Sequence, residues 1–411
     1  MKLKVMAALM AGTCVILSEV SISYAAEDGE PLTLVSATAD PIAGEYLITL
    51  QESVNPRAFA NSFGVTPKRI YENALKGFTA SLTPQQIEAL RRNRSVDSIE
   101  QNGRLQLSSI DIPDIQLKQK ASGWGLDRID DGVPPVDYKY NGEYVYDPFP
   151  SGNGVDIYIV DTGIETAHPD FNGRATNDYN ATNGSASDCH GHGTKVASAA
   201  AGKTVGIARN ARLHGVKVAE SCTTGQATNS DLIAGLDWIV GKLVMGASQG
   251  ASRKPAVVNI SMTIPSGISA IRALGGITEL GVIVTAAAGN SHENTCGSVN
   301  SIPGVITVGA STKFDGAAGF SNYGACLDLY APGDSVRIAT QGGGYGTDSG
   351  TSFSAPYVAG VSALLESKYA AMKFDPAGLE SYMKNVLATS NAIHGAPSGT
   401  TRNLLHKPKY L

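Results

Sequence analysis

GTSFSAP, residues 350–356, leads directly into YVAGVSALLESKYAAM, residues 357–372, and the junction between them is the clearest landmark in this 411-residue chain. The second stretch is rich in helix formers with apolar residues at helical spacing, so it predicts a helix whose first turn holds Ser352. Unpaired backbone N–H groups at a helix start favour the negative charge that develops when a hydroxyl attacks a carbonyl. A serine there is more often a helix cap than a nucleophile. A catalytic role for Ser352 therefore requires partner residues elsewhere in the chain.

Upstream of this landmark, short apolar strands alternate with helices. Such a pattern is typical of an α/β domain with a doubly wound, mostly parallel sheet that helices cover on both faces. In such sheets, ligands bind outside the carboxyl ends of the strands. The predicted strands are Val155–Val160, Leu213–Val218, Ala256–Ile260 and Val282–Ala288, and the predicted helices begin near Thr194, Asp231, Ile268 and Ser352.

Polar residues follow two of these strands at their carboxyl ends, where a ligand-binding or catalytic site is expected. Asp161 comes directly after the first strand, and Asn290 follows the last. His192 lies in CHGHGT, residues 189–194, just before an Ala-rich helix. Together with Ser352, these residues provide a nucleophile, a base, an orienting carboxylate and a side-chain amide donor.

Residues 40–107 form a separate unit in which two helices are interleaved with strands. The order β-α-β-β-α-β predicts a small ferredoxin-like α+β domain, with Thr83, Pro84 and Gln86 as the capping box of its second helix. A unit of fewer than about 80 residues is marginally stable alone, so we expect it to pack on the larger domain. The aperiodic, Pro- and Lys-containing residues 111–123 are typical of a linker.

The N-terminus has the features of a secretory signal over residues 1–25. Lys2 and Lys4 precede an apolar run, Val5–Leu17, which is too short to span a bilayer, and small residues follow at 23–25. We therefore expect a secreted protein, extracellular or periplasmic in transit, with no stable membrane association. The alternative, a lipoprotein site at Cys14, fits poorly because apolar residues continue past it. A net charge of −5 gives no electrostatic case for nucleic acid.

With these motifs in register, the chain resembles the subtilisin-like serine proteases, in the branch of proteinase K, aqualysin and the cold-adapted Vibrio proteinase. The motifs are DTGI at 161–164, HGHGT at 190–194, AAAGN at 286–290 and GTS at 350–352. The resemblance implies a monomeric endopeptidase made as a self-processed zymogen, with Asp161, His192 and Ser352 as the catalytic triad and Asn290 in the oxyanion hole. It also implies an inhibitory propeptide at 26–110, a processing region at 111–123 and a catalytic domain at 124–411.

Two stretches depart from the family pattern. Phe353 replaces the usual methionine after the nucleophile, and SMTI at 261–264 replaces Ser-Leu-Gly-Gly beside the specificity pocket. A β-branched residue in place of glycine is expected to crowd a cleft for protein or peptide substrates. The substrate-binding residues that the resemblance implies are Gly225, Ser261, Met262 and Thr263.

Four cysteines remain after the signal, which predicts two disulfides with three possible pairings. The resemblance implies the pairs Cys189 with Cys222 and Cys296 with Cys326. It also implies structural Ca²⁺, because an acidic segment after Trp124 matches calcium ligands of the Vibrio branch. Without the resemblance, a solvated acidic loop is the alternative. Asp127, Asp130 and Asp137 match the ligands of that branch, and Asp131, where the branch has glutamine, is a further candidate. Asp328 matches a calcium ligand of proteinase K and is a candidate for a second site.

Three other readings of these motifs predict different functions. An aspartic protease would use DTG at 161–163 and DSGTS at 348–352, but that class is all-β and would leave His192 idle. A metal site at Asp188, Cys189, His190 and His192 lacks the second group of ligands that such sites usually draw from another part of the sequence. An inactive binding protein on the same scaffold conflicts with the intact set of four site residues.

Overall fold

The structure is a computed structural model that describes residues 32, 34–35, 41–105, 123–130, 144, 151–248, 253–264, 267–294, 302–408 and 411. Its strands are β1 (Leu34–Val35), β2 (Pro41–Leu50), β3 (Arg69–Tyr71), β4 (Lys76–Ser81), β5 (Val96–Leu105), β6 (Asp156–Asp161), β7 (Ala175–Asn180), β8 (Arg212–Lys217), β9 (Ala227–Thr228), β10 (Ala256–Ile260), β11 (Ile283–Ala287), β12 (Val305–Ser311), β13 (Leu329–Pro332), β14 (Val336–Thr340) and β15 (Gly344–Asp348). Its α-helices are α1 (Pro56–Ser62), α2 (Pro84–Arg91), α3 (Gly123–Asp130), α4 (His192–Ala201), α5 (Asn229–Ser248), α6 (Ile268–Glu279), α7 (Thr351–Lys368) and α8 (Pro376–Tyr382). Short 3₁₀ turns cover Pro169–Phe171 and Ala370–Met372, and a π-helical turn covers Met383–Leu387.

The N-terminal unit has the predicted ferredoxin-like order. Its strands lie in the order β1-β5-β2-β4-β3, and β2 is antiparallel to both β4 and β5. Thr83 and Gln86 make both reciprocal bonds of the capping box at the start of α2, and Pro84 takes the first helical position, where no N–H is needed.

The large sheet has seven strands in the order β13-β12-β11-β10-β6-β8-β7, and every pairing in it is parallel. Along β6, Ile157 and Ile159 pack in one core cluster with α4 and α7, whereas Tyr158 and Val160 pack in another with α5 and α6. The two faces of the sheet are therefore both covered, as the strand pattern predicted, and the carboxyl ends of the strands form one open edge.

Helix α7 lies in the interior of the larger domain. Residues 351–366 of this helix are all buried, which explains why apolar and small residues occur on every side of it. Within the described part of the chain, no helix is both long and apolar enough to cross a membrane.

Candidate active site

Asp161 and His192 meet at the carboxyl edge of the sheet. Asp161 is the last residue of β6, His192 is the first residue of α4, and His192 Nδ1 lies 2.7 Å from Asp161 Oδ1. Both side chains are buried, with Asp161 fully so, and the N–H of Thr162 also donates to Asp161 Oδ1 at 2.8 Å. A carboxylate on Nδ1 favours the tautomer with its proton there, which leaves Nε2 free to accept a proton.

Ser352 is the second residue of α7 and is fully buried. Gly350, with a φ of 151°, is the N-cap of the helix, so Ser352 is not the cap. The Ser352 hydroxyl donates to the carbonyl of Ser261 at 3.0 Å, and the Ser261 hydroxyl donates to the carbonyl of Ser352 at 2.8 Å. Pro356 explains the second bond, because it lacks the N–H that would otherwise bond the carbonyl four residues earlier.

His192 Nε2 is buried and has no hydrogen-bond partner among the described residues. The neighbouring ring of Phe353 lies 5.8 Å from the imidazole, centroid to centroid. The imidazole of His192 therefore lies next to the start of α7, while the Ser352 hydroxyl donates to Ser261.

Asn290 lies just beyond β11, next to the start of α7. Its Oδ1 accepts from the N–H and the hydroxyl of Thr351 at 3.0 and 2.9 Å, and the Thr351 hydroxyl in turn accepts from Gly289 N at 3.0 Å. Asn290 Nδ2 is buried, and no partner for it occurs in the described part of the chain. An unpaired buried amide is costly, and a donor of this kind is what a developing oxyanion needs.

The predicted substrate-binding residues lie on two sides of this edge. Gly225 has a φ of +60° and comes just before β9. Met262 is fully buried in the core cluster with α5 and α6, so its side chain does not reach a substrate. Thr263 is exposed, and its Oγ1 lies 4.0 Å from where a Cβ on Gly289 would be. Thr263 is thus the exposed residue of this set, and it lies close to Gly289.

The last strand of the N-terminal unit reaches this edge. Strand β5 pairs antiparallel with β9, with Arg104 opposite Thr228 and Leu105 opposite Ala227. The described part of the unit therefore ends beside the segment from Gly225 to β9, which we call the Gly225 wall.

The same unit also docks on α5 and α6 through charged and apolar contacts. Asp237 of α5 accepts from the backbone N–H groups of Asn73 and Ala74 at 2.7 and 2.6 Å. Glu100 accepts from the N–H and hydroxyl of Ser269, in the first turn of α6, at 3.1 and 2.7 Å. Further contacts are the ion pairs Arg69–Asp231 and Asp97–Arg272, and the packing of Leu47, Tyr71 and Leu75 in the core cluster of α5.

A disulfide joins Cys189 to Cys222, as the resemblance implied. It connects the turn before His192 to the loop before Gly225. Cys326 is also disulfide-bonded, and Cys296, its predicted partner, lies outside the described residues. Because Cys189 is in a disulfide, it is not available as a metal ligand. Among the described residues, no group of three or more His, Cys, Asp or Glu side chains could hold a metal ion.

Two basic side chains beside the pair have lowered pKa values. Burial lowers the pKa of His190, and the neighbouring His192 lowers it further. Burial also lowers the pKa of Lys217, although Asp188 and Asp161 act in the opposite direction. Desolvation is therefore the largest effect on the pKa of both side chains.

The predicted calcium ligands have three different outcomes. Asp127 and Asp130 lie one turn apart on α3 and are both buried, whereas Asp131 and Asp137 lie outside the described residues. Asp328 has protein partners on both oxygens: Lys384 Nζ at 2.7 Å and the N–H of Thr307 at 2.8 Å. Burial raises the pKa of Asp328, and Lys384 opposes this effect.

Phe353 suggests a simple prediction on oxidation. Phenylalanine cannot form the polar sulfoxide that peroxide makes from methionine, and Phe353 packs against His192. We expect Phe353→Met to lose activity several times faster than the natural protein in hydrogen peroxide, measured as residual peptide hydrolysis over time. Equal inactivation rates would show that oxidation elsewhere dominates.

Comparison with known proteins identifies two segments. Residues 152–402 match the model of the subtilase family, and residues 45–108 match that of the peptidase inhibitor I9 family. A protein named alkaline serine protease ver112, from Corniculantispora psalliotae, is 35% identical over 95% of this chain and 97% of its own length. The cuticle-degrading protease of Metarhizium anisopliae is 34% identical over 92% of this chain and 93% of its own.

Two further matches extend the comparison. Alkaline serine exoprotease A of Vibrio alginolyticus is 35% identical over 82% of this chain, but the match spans only 64% of that longer protein. The crystal structure of a cold-adapted subtilisin-like serine proteinase is 37% identical, with a TM-score of 0.61, over 70% of this chain and 98% of that one.

Proposed function

Because the chain belongs to the subtilase family of serine proteases, with a peptidase inhibitor I9 segment ahead of its catalytic domain, we propose that it is a secreted endopeptidase whose catalytic triad is Ser352, His192 and Asp161. The observation that carries this assignment is the 2.7 Å contact of His192 Nδ1 with the buried Asp161, beside a nucleophile helix that begins at Thr351.

Each member of the triad has its own role. Ser352 Oγ attacks the scissile carbonyl while His192 Nε2 accepts its proton and later donates it to the leaving amine. Asp161 holds the imidazole in the required tautomer and stabilises the imidazolium that forms. Full burial of Asp161 supports this role, since a carboxylate in a dry site interacts strongly with a neighbouring positive charge.

The negative charge on the tetrahedral intermediate is bound by two donors. We assign these to Asn290 Nδ2 and the backbone N–H of Ser352 at the start of α7. The bonds from Thr351 to Asn290 Oδ1 fix the amide before substrate arrives, so no reorganisation is needed at the moment of reaction.

The N-terminal unit acts as an inhibitory propeptide that the enzyme removes itself. Its strand β5 leads to the Gly225 wall by pairing with β9, in the manner of an extended peptide that adds to a sheet edge. We place the cleavage between about Ser109 and Ala121, outside the described residues. Protein and peptide substrates would use the same edge, and Thr263 would restrict the side chains that fit beside Gly289.

The remaining properties follow from this function. We propose that residues 1–25 are a signal, that residues 26–110, 111–123 and 124–411 are propeptide, processing region and catalytic domain, and that the mature enzyme is an extracellular monomer. A relative from Thermus sp., 36% identical over 84% of this chain, is named extracellular serine proteinase, which supports secretion.

Selective inhibition tests the function class. A serine-directed phosphonate should stop hydrolysis of a chromogenic peptide, and pepstatin should not. The reverse pattern would indicate an aspartic protease, and absence of any hydrolysis by processed protein would indicate an inactive scaffold. The seven-stranded parallel sheet already argues against the all-β aspartic class.

Subtilases commonly bind structural calcium, and we propose that the segment around α3 does so here. Two buried carboxylates one helical turn apart, Asp127 and Asp130, are hard oxygen donors of the kind Ca²⁺ prefers. Arg128 between them is engaged in a two-point ion pair with Asp315 at 2.7 and 3.0 Å. Asp131 and Asp137 would complete the ligand set. Asp328 does not fit this role, because calcium would have to displace Lys384 from it.

We expect chelation of calcium to lower the melting temperature and hasten autolysis. Binding to the folded state alone stabilises by RT ln(1 + [Ca²⁺]/Kd), about 2.7 kcal/mol at a hundredfold excess over Kd. The double variant Asp127→Asn with Asp130→Asn should remove the calcium dependence of the melting curve, and Asp328→Asn should not. An unchanged dependence in the double variant would mean that the acidic segment binds no structural calcium.

A further inference from the structure

The carboxylate of Asp188 is the most heavily hydrogen-bonded side chain around the Asp161–His192 pair. It is 8% exposed and lies in the turn that runs into His192. Its Oδ1 accepts from the Thr162 hydroxyl (2.9 Å) and the N–H groups of His190 (3.0 Å) and Gly191 (2.7 Å), and its Oδ2 accepts from the N–H (2.9 Å) and hydroxyl (2.6 Å) of Thr194. Donors on both sides of His192 therefore converge on one carboxylate.

The same carboxylate is connected to the catalytic aspartate through Thr162. The Thr162 hydroxyl donates to Asp188 and accepts from Gly193 N at 2.9 Å, while the Thr162 N–H donates to Asp161 Oδ1. Asp188 thus joins the loop after β6, which holds Asp161, to the turn that holds His192.

Backbone packing leaves little freedom in this connection. Gly163 has a φ of +100°, and a Cβ there would lie 2.5 Å from the carbonyl of Ala186 and 3.0 Å from Asp188 N. A Cβ on Gly193 would lie 2.1 Å from the carbonyl of Gly163. The three segments are in direct backbone contact, so a shift of one displaces the others.

Lys217 holds the same loops together from the other side. Its ammonium donates to the carbonyls of Thr162 at 2.8 Å and Ser187 at 3.1 Å, and the side chain is buried. Lys217 therefore also joins the two segments that Asp188 connects, the loop after β6 and the turn before His192.

We propose that Asp188 is a positioning residue for the catalytic reaction, which sets the orientation of the His192 imidazole between Asp161 and Ser352. This inference rests on the proposed function. All five contacts need an acceptor, so an amide at this position would direct one donor at other donors and shift the turn. A misplacement of the base by about 1 Å can cost on the order of 10²-fold in rate. The five donors engage both oxygens of Asp188 with protein groups.

The test compares Asp188→Asn with Asp170→Asn. Asp170 is also a buried carboxylate, 1% exposed, and accepts from Thr204 N at 2.7 Å and the Tyr345 hydroxyl at 2.9 Å. It lies at Gly202, at the opposite end of α4 from His192. The two variants therefore remove a comparable buried charge at the two ends of one helix.

For Asp188→Asn we expect kcat to fall by about 10- to 100-fold with KM changed less than about threefold. The second-order rate constant for labelling of Ser352 by a fluorophosphonate should fall in parallel. This rate constant depends on the triad and not on the predicted substrate-binding residues. Asp170→Asn should lower the melting temperature but keep kcat within about threefold of the natural protein.

Folding is checked separately in full-length chains that carry Ser352→Ala and cannot process themselves. Adding Asp188→Asn to that chain should leave a cooperative melting transition. The inference is overturned if Asp188→Asn keeps kcat, if it changes KM alone, or if the Ser352→Ala, Asp188→Asn chain fails to fold while its Asp170→Asn counterpart folds. Absence of Ser352 labelling in the natural protein would instead overturn the proposed function.

Discussion

Replacing Ser352 with alanine should abolish peptide hydrolysis and leave the full-length chain uncut. Loss of the nucleophile of a Ser-His-Asp triad lowers kcat on the order of 10⁶-fold, since the covalent intermediate with that serine can no longer form. In the proposed function, self-processing depends on the same hydroxyl, and strand β5 brings the N-terminal unit to β9 of the same domain. One substitution should therefore remove both activities.

Gel electrophoresis and intact mass of the protein from a protease-free host measure this outcome. Ser362→Ala is the matched control: Ser362 is equally buried on α7, but it lies about three helical turns beyond Ser352, and its hydroxyl donates to the Val358 carbonyl at 2.9 Å. That variant should process normally. Normal processing of Ser352→Ala would count against self-cleavage.

Replacing Asn290 with alanine should lower kcat by about 10² to 10³-fold with little change in KM. Loss of one oxyanion donor costs about 2.7 to 4 kcal/mol of transition-state stabilisation, and the Ser352 backbone N–H would remain. Activity should therefore survive this change far better than the loss of Ser352. Steady-state kinetics on one peptide substrate give both constants.

The Asn290→Asp variant distinguishes the two roles of Asn290, donation to the oxyanion by Nδ2 and acceptance from Thr351 by Oδ1. The aspartate keeps an oxygen for the two bonds from Thr351 but has no amide, and its charge repels the oxyanion. We expect a loss at least as large as that of Asn290→Ala. Recovery of activity in Asn290→Asp would show that Asn290 acts by anchoring Thr351 and not by donating to the oxyanion.

The central strands were predictable because burial on both faces makes them continuous apolar runs. Ala256–Ile260 has the predicted bounds, and β6, β8 and β11 differ from the predicted ranges by one residue at each end. Strands β7, β12 and β13 were not among the predicted strands. Of these, β7, with the sequence ATNDYN, lies at an edge of the sheet, where polar residues replace the apolar pattern.

The burial of the acidic segment after Trp124 could not be predicted from its composition. Taken alone, its carboxylates suggested a solvated loop, but Gly123–Asp130 is a helix with buried Asp127 and Asp130. The indole of Trp124 donates to the carbonyls of Asp334 and Ser335, which lie more than 200 residues further along the chain. Tertiary contacts of this range override a local charge pattern.

The interactions of Asp188 and Asp328 were not predicted from the sequence, because they join residues that are distant in the chain. Asp188 was considered only as a metal ligand, because its bonds to Thr162 and Thr194 depend on how three loops meet. The ion pair of Asp328 with Lys384 joins residues 56 positions apart. By contrast, Asp161, His192, Asn290 and Ser352 could be proposed from the sequence because each follows a recognisable strand or begins a helix.

Labelling of the processed protein with a fluorophosphonate, followed by peptide mapping, tests the triad assignment most directly. One adduct is expected, on Ser352, with stoichiometric loss of hydrolysis, and the His192→Ala variant should react far more slowly. Hydrolysis that continues with Ser352 unlabelled, or an adduct on another serine that removes activity, would contradict the assignment.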